Sequence, residues 1–175
     1  MTFLRVFFGF FFLVLELFLH GQNRLSDRLF GTLYVGLGGG NEMILLSGVP
    51  QIGCDVTDRY SAGVGMIYQY VRSIGPRETI HNYGWSVFNR YKITKRFFGY
   101  GEFERLSFQR PPRFQGRSGV PDRRELYSVF LGPGFANPLS RNSSLKIMVL
   151  YNLLYVKGET SPYSNSWLLR VGLEI

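Results

Sequence analysis

The feature that most constrains this chain is an alternation, repeated eight times, between large apolar residues and small or polar ones. In residues 60–71, YSAGVGMIYQYV, the even positions carry Tyr60, Ala62, Val64, Met66, Tyr68 and Tyr70, and the odd ones Ser61, Gly63, Gly65, Ile67, Gln69 and Val71. Successive side chains of a β-strand point to opposite faces, so a period of two marks a strand with two unlike faces. The pattern recurs over 30–40, 43–56, 60–72, 82–93, 97–109, 125–136, 144–156 and 166–175, with turn residues between the segments. Nothing after residue 21 reads as an amphipathic helix. The expected fold class is all-β, an eight-stranded antiparallel up-and-down barrel.

Which face lies inside follows from volume. The seventh segment sets Leu145, Ile147, Val149, Tyr151, Leu153 and Tyr155 against Ser144, Lys146 and Asn152; the eighth sets Trp167, Leu169, Val171, Leu173 and Ile175 against Leu168, Arg170, Gly172 and Glu174. A soluble barrel, such as a lipocalin binding a small hydrophobic ligand, would bury the apolar set. The third segment would then present two glycines, Ile67 and Val71 to water. Small residues fit the narrow interior of an eight-stranded barrel, whereas an aromatic-rich face suits lipid. The large apolar set is therefore expected to point outward, making the barrel transmembrane. Each segment reaches the roughly 9 to 11 residues that a tilted strand needs to cross a bilayer. Tyr60, Tyr70, Tyr83, Trp85, Tyr91, Tyr155 and Trp167 fall near segment ends on the outward set, where amphipathic rings favour an interface. Pro50 lacks a ladder donor, so a bulge or local break is expected there.

The connections alternate in length. Those around Thr57-Asp58-Arg59, Thr94-Lys95-Arg96 and Asn137 to Asn142 are short, while 73–81, 110–124 and 157–165 are longer and rich in Gly, Pro and charge. Short periplasmic turns opposite longer outer loops are the habit of bacterial outer-membrane barrels. The hairpin at Gly40 to Glu42 is short at the loop end. The first stretch, MTFLRVFFGFFFLVLELFLHGQ, places Arg5 before an apolar run ending at the small residue Gly21, the layout of a cleavable signal peptide over 1–21 with the barrel domain over 22–175. Arg5 and Glu16 cancel, so the remainder keeps the net charge of +8. A single cysteine, Cys54, excludes an intramolecular disulfide, and no Cys/His cluster has metal-ligand spacing; no metal or cofactor is expected.

The phrases VTDRYSAGVGMIYQY, NRYKITKRFFGYGEFE and IMVLYNLLY, with SPYS and a terminal RVGLEI, resemble the small outer-membrane β-barrel proteins of Bacteroidota-type bacteria, broadly like the transmembrane domains of OmpA- and OmpX-type proteins. The resemblance covers roughly 30–175. It implies an integral outer-membrane protein with a structural or surface-interaction role, inserted by the barrel-assembly machinery through its alternating terminal strand. Ile175 stands where such families most often carry an aromatic residue.

Charges on the inward set are Asp55, Arg90, Lys92, Glu102, Glu104, Lys146, Arg170 and Glu174. Isolated buried charge is costly, so these are expected to form an interior network. If the turn at 94–96 joins the fourth and fifth strands, positions summing to about 190 face each other and Arg90 lies diagonal to Glu102; Phe98 and Tyr100 then share the inward face with both glutamates. The loop RPPRFQGRSGVPDRR holds Arg110, Arg113, Arg117, Arg123 and Arg124 against the one acid Asp122. Arginine forks match phosphate geometry, and the expected ligand on an outer face is lipopolysaccharide and outer-membrane lipid. Export and topology argue against nucleic acid, and a monomer is expected. Catalysis would need a nucleophile beside a base. After signal removal the remaining histidine is His81, at the loop boundary, while Ser86 is on the inward set, so no acid–His–Ser constellation and no lipid A-modifying activity is expected.

Overall fold

The computed structural model describes residues 28–40, 43–73, 79–109, 123–140, 143–156, 162–163 and 165–175. The expectations for the signal segment, for Asn142, and for Arg110, Arg113 and Arg117 lie outside the described residues.

Eight strands close into one antiparallel barrel: β1 (Leu29–Gly40), β2 (Met43–Asp55), β3 (Tyr60–Ser73), β4 (Thr79–Lys92), β5 (Phe97–Gln109), β6 (Arg123–Pro138), β7 (Ser144–Asn152) and β8 (Trp167–Glu174). Every strand pairs with its sequence neighbours, and β1 closes on β8 through Thr32 to Val35 against Glu174 to Val171. Closure gives the backbone its partners around the ring and removes the outer sheet edges.

The turns at 56–59 and 93–96 use one device twice. Thr57 Oγ1 accepts from the backbone N–H groups of Arg59 and Tyr60 at 3.3 and 2.9 Å. Thr94 Oγ1 accepts from Arg96 and Phe97 at 3.2 and 2.9 Å. Threonine opens each turn because its hydroxyl satisfies two donors that the strand ladder cannot reach.

The facing follows the volume argument. On β3, Ser61, Gly65, Ile67, Gln69 and Val71 are buried while Tyr60, Val64, Met66 and Tyr68 are exposed. On β5, Phe98, Tyr100, Glu102, Glu104, Leu106 and Phe108 all point inward. Inward glycines make room for inward rings. A Cβ on Gly172 would lie 2.3 Å from the Tyr34 ring, and one on Gly134 2.2 Å from the Phe98 ring.

At Pro50 the structure takes the second of the two expected forms, a local break and not a bulge: Gly48 with Tyr68 and Gln51 with Gly65 keep one register, and the bridge pairs to β3 lapse at Val49 and Pro50. A missing N–H interrupts the ladder without shifting it. The structure differs from expectation elsewhere. β7 stops at Asn152 rather than continuing to 156, because the Asn152 side-chain oxygen accepts from the Leu154 N–H at 3.0 Å and turns the chain. Arg123 and Arg124 open β6 and are not loop residues. They pair with Gln109 and Phe108, so the β5–β6 hairpin carries its ladder further toward the loop end than 97–109 and 125–136 imply.

Candidate functional site

The lumen holds two charged clusters stacked along the barrel axis. Near the short turns, Glu174 of β8 gathers three donors: Thr32 Oγ1 at 3.1 Å, Arg90 Nη1 at 2.6 Å and Lys146 Nζ. Asp55 takes Lys92 Nζ at 2.8 Å and the Ser61 hydroxyl, with Arg90 Nη2 3.8 Å away. The Arg90 guanidinium lies 4.5 Å from the Phe30 ring centroid and 5.7 Å from that of Phe98, and Lys146 Nζ lies 5.5 and 5.7 Å from the same two rings. The ring faces thus supplement carboxylates that are outnumbered by cations.

Toward the loops the balance reverses. Arg170 of β8 pairs with Glu102 and lies 3.6 Å from Glu104, with its guanidinium 5.6 Å from the Phe130 ring centroid. Gln51 donates to the Tyr100 hydroxyl at 2.8 Å, which in turn donates to Glu102 at 3.2 Å. Tyr163, from the β7–β8 connection, donates to Glu104 at 2.5 Å and accepts from Gln69 at 3.1 Å; Gln69 is itself bonded by Asn82 at 3.3 Å. Burial, reinforced by the Glu104 carboxylate, pushes the Tyr163 hydroxyl well above the ordinary tyrosine range, so it acts as a proton-bearing donor.

The register of β4 and β5 places Arg90 opposite Tyr100 and therefore diagonal to Glu102. The ion pair does not follow that diagonal. Arg90 turns to Glu174 across the lumen, and Glu102 takes Arg170 instead. Charged side chains in a narrow barrel reach across the interior as readily as along the wall, so the partner is set by height along the axis and not by strand adjacency.

At the loop end of β3–β6 the outer surface changes from apolar to polar. Tyr68 and His81 share a hydrogen bond at 2.6 Å between the hydroxyl and Nδ1. The Arg123 guanidinium lies over the Tyr83 ring, 4.5 Å from its centroid, and donates to the His81 carbonyl at 3.0 Å. Arg105 pairs with Glu125, which also accepts from Tyr127 at 2.9 Å. Arg124 points the other way and lines a cleft of about 190 Å³ with Phe108, Leu126, Asn152, Leu154 and Tyr155. His81 and Ser86 lie on opposite faces of β4, one outside and one in the lumen.

Three lumen groups that the charge list omitted, Gln51, Gln69 and Asn82, occupy the inward positions of their strands, where the alternation would have found them. Tyr163 had no such signal, because it lies in a connection.

No protein-family model matches the sequence, and no match emerges from the curated proteins. Among solved structures the chain is similar to the N-terminal β-barrel domain of Pseudomonas aeruginosa OprF, at 12% identity over 85% of this chain and 96% of that one, with a TM-score of 0.49. It is also similar to a de novo designed transmembrane β-barrel, at 14% identity over 84% of this chain and 92% of that one, with a TM-score of 0.38.

Proposed function

We propose that this chain is an integral outer-membrane β-barrel with a structural or surface-interaction role, whose basic loop end rests against the phosphates of lipopolysaccharide. The observation that carries this reading is the outer surface. Exposed aliphatic residues, among them Leu33, Leu46, Ile52, Val64, Val87, Leu131, Val149 and Leu169, form a band around the barrel. Aromatic cross-strand pairs bound it: Tyr60 with Tyr91 at the turn end, and Tyr68 with Tyr83 and Tyr151 with Trp167 at the loop end. Along β3, the steps from Tyr60 to Tyr68 at about 3.3 Å each, tilted by about 40°, span roughly 20 Å, close to the roughly 25 Å apolar belt of outer-membrane barrels. An apolar surface this extensive marks a contact with lipid or another apolar phase and not with water.

The polar rim just beyond that band supports the lipopolysaccharide contact. Arg123 is held by a ring and a carbonyl, which leaves a preorganised guanidinium at headgroup height. A lipocalin-like binder would need an open apolar lumen, whereas here buried rings such as Phe88, Phe98 and Phe130 fill the interior together with Arg90, Glu102, Glu104, Lys146 and Arg170. A lipid A-modifying enzyme would need Ser86 and His81 on one face, and they are on opposite faces.

The test is to express the chain from residue 1 in a Gram-negative host, isolate the outer membrane and compare boiled with unboiled samples by gel. Recovery there with a mobility shift on boiling supports a closed membrane barrel, and recovery as a soluble periplasmic protein overturns it. Replacing Arg123 and Arg124 together by Ala should lower co-purifying lipopolysaccharide without removing the shift; unchanged lipopolysaccharide refutes the contact.

A further inference from the structure

Beneath the Tyr163 ring lies the loop-end half of the lumen. That ring belongs to a connection yet lies inside the barrel, where its hydroxyl bridges Glu104 of β5 and Gln69 of β3. Its edge meets Phe130 of β6, with centroids 5.5 Å apart. Ser166 is pinned to the end of β7, its carbonyl accepting from the Asn152 N–H at 2.8 Å, and the Asn165 side chain caps the start of β8, accepting from the Trp167 N–H at 2.9 Å. Tyr163 thus spans the lumen at the loop end and is held there on three sides.

Directly below it, Ser86 Oγ, Glu102 Oε1 and Glu104 Oε2 are buried without a hydrogen-bond partner. Ser86 and Glu104 face each other in register, and Glu102 is the next inward residue on β5. Buried polar atoms in native proteins are satisfied by protein, water or ions, so Ser86 Oγ and Glu102 Oε1, with Glu104 Oε2 beside them at 3.6 Å from Arg170 Nη2, mark a place where a hydrated species is held. Counted as ionised, the two carboxylates here face the single cation Arg170. The balancing excess of positive charge sits in the cluster by the turns, built from Arg90, Lys92 and Lys146 against Asp55 and Glu174. Two carboxylates sharing one cation away from bulk water are balanced by taking up either a proton or a cation, and they repel an anion.

We propose that the loop-end half of the lumen is an acidic chamber accessible to small cations from the loop side, and that Tyr163 is the stopper that sets this access.

The full chain, with Cys54→Ala and Ser86→Cys, is folded in detergent micelles and treated with two methanethiosulfonates of similar size, one bearing trimethylammonium and the other sulfonate. Labelling is followed by mass. With Tyr163 in place, the thiol should react slowly with both. Tyr163→Ala should accelerate the cationic reagent by roughly tenfold or more, since each hydrogen bond holding the ring is worth about two- to tenfold, and the cationic reagent should outpace the anionic one. A cationic rate unchanged by Tyr163→Ala, or a sulfonate reagent that reacts at least as fast, overturns the proposal. Tyr163→Phe keeps the ring and removes both hydroxyl bonds. Its rate should fall between the other two, and if Tyr163→Ala yields no heat-shifted band, an unchanged Tyr163→Phe rate is itself the refutation. Labelling in micelles reads the lumen alone, so its failure leaves the membrane reading standing.

Discussion

Replacing Arg170 by Met removes the cation shared by Glu102 and Glu104. The arginine side chain is 3% exposed and both carboxylates 0%, so solvent does not take over its role while Tyr163 closes the loop end. Methionine keeps an apolar stem in place of the arginine's, which leaves loss of charge, and of the guanidinium over the Phe130 ring, as the main effect. Breaking a buried pair from one side costs about 3–5 kcal/mol, because it strands the remaining charge. The assay is urea unfolding of the barrel in lipid vesicles, followed by the fluorescence of Trp85 and Trp167, with the midpoint read at constant slope. Adding Glu102→Gln to Arg170→Met should restore about 2–3 kcal/mol by neutralising the arginine's strongest partner, a coupling that a double-mutant cycle isolates. If Arg170→Met costs less than about 1 kcal/mol, the value of a solvent-exposed pair, the lumen is already wet enough to solvate both carboxylates and the reasoning fails.

Gly172→Ala should destabilise the barrel by about 1–3 kcal/mol, since its Cβ would strike the buried Tyr34 ring at 2.3 Å; Gly99→Ala, with nothing within 4 Å, is the control expected to be neutral. Val64→Arg, at a position 59% exposed within the aliphatic band, should cost about 2–4 kcal/mol in vesicles if that band faces lipid, and no loss would place the residue in water. Arg105→Ala removes an ion pair whose side chains are 41% and 48% exposed, so no measurable change in unfolding midpoint is expected at physiological salt; a clear loss would mean the pair is screened from water. Thr94→Val deletes the hydroxyl that accepts from Arg96 and Phe97 and should cost about 0.5–1.5 kcal/mol by the same unfolding assay.

Strand number, strand order and facing were legible in the residues because they rest on local rules. A period of two sorts Tyr60, Val64, Met66 and Tyr68 from Ser61, Gly65, Ile67 and Gln69 whatever the rest of the chain does, and short threonine turns force the next strand to run antiparallel beside the last. The turn at 94–96 does join β4 to β5 with positions summing to 190 face to face, which sets Arg90 diagonal to Glu102. Strand ends were less legible. Asn152 ends β7 by a side-chain bond to its own turn, and the β5–β6 ladder reaches Arg123 and Arg124 because pairing with Phe108 and Gln109 overrides the loop-like composition of that stretch.

What only the tertiary structure decided is who meets whom across the lumen. Arg90 with Glu174 and Arg170 with Glu102 join residues 84 and 68 positions apart, on strands that are not neighbours in the sheet. Their heights along the axis depend on the tilt and stagger with which the barrel closes, and these are set by all eight pairings together and by no local pattern. Tyr163 makes the same point from outside the periodicity. A residue in a connection has no face assigned by its neighbours, so its place over Glu104 is fixed by the closed barrel that receives it.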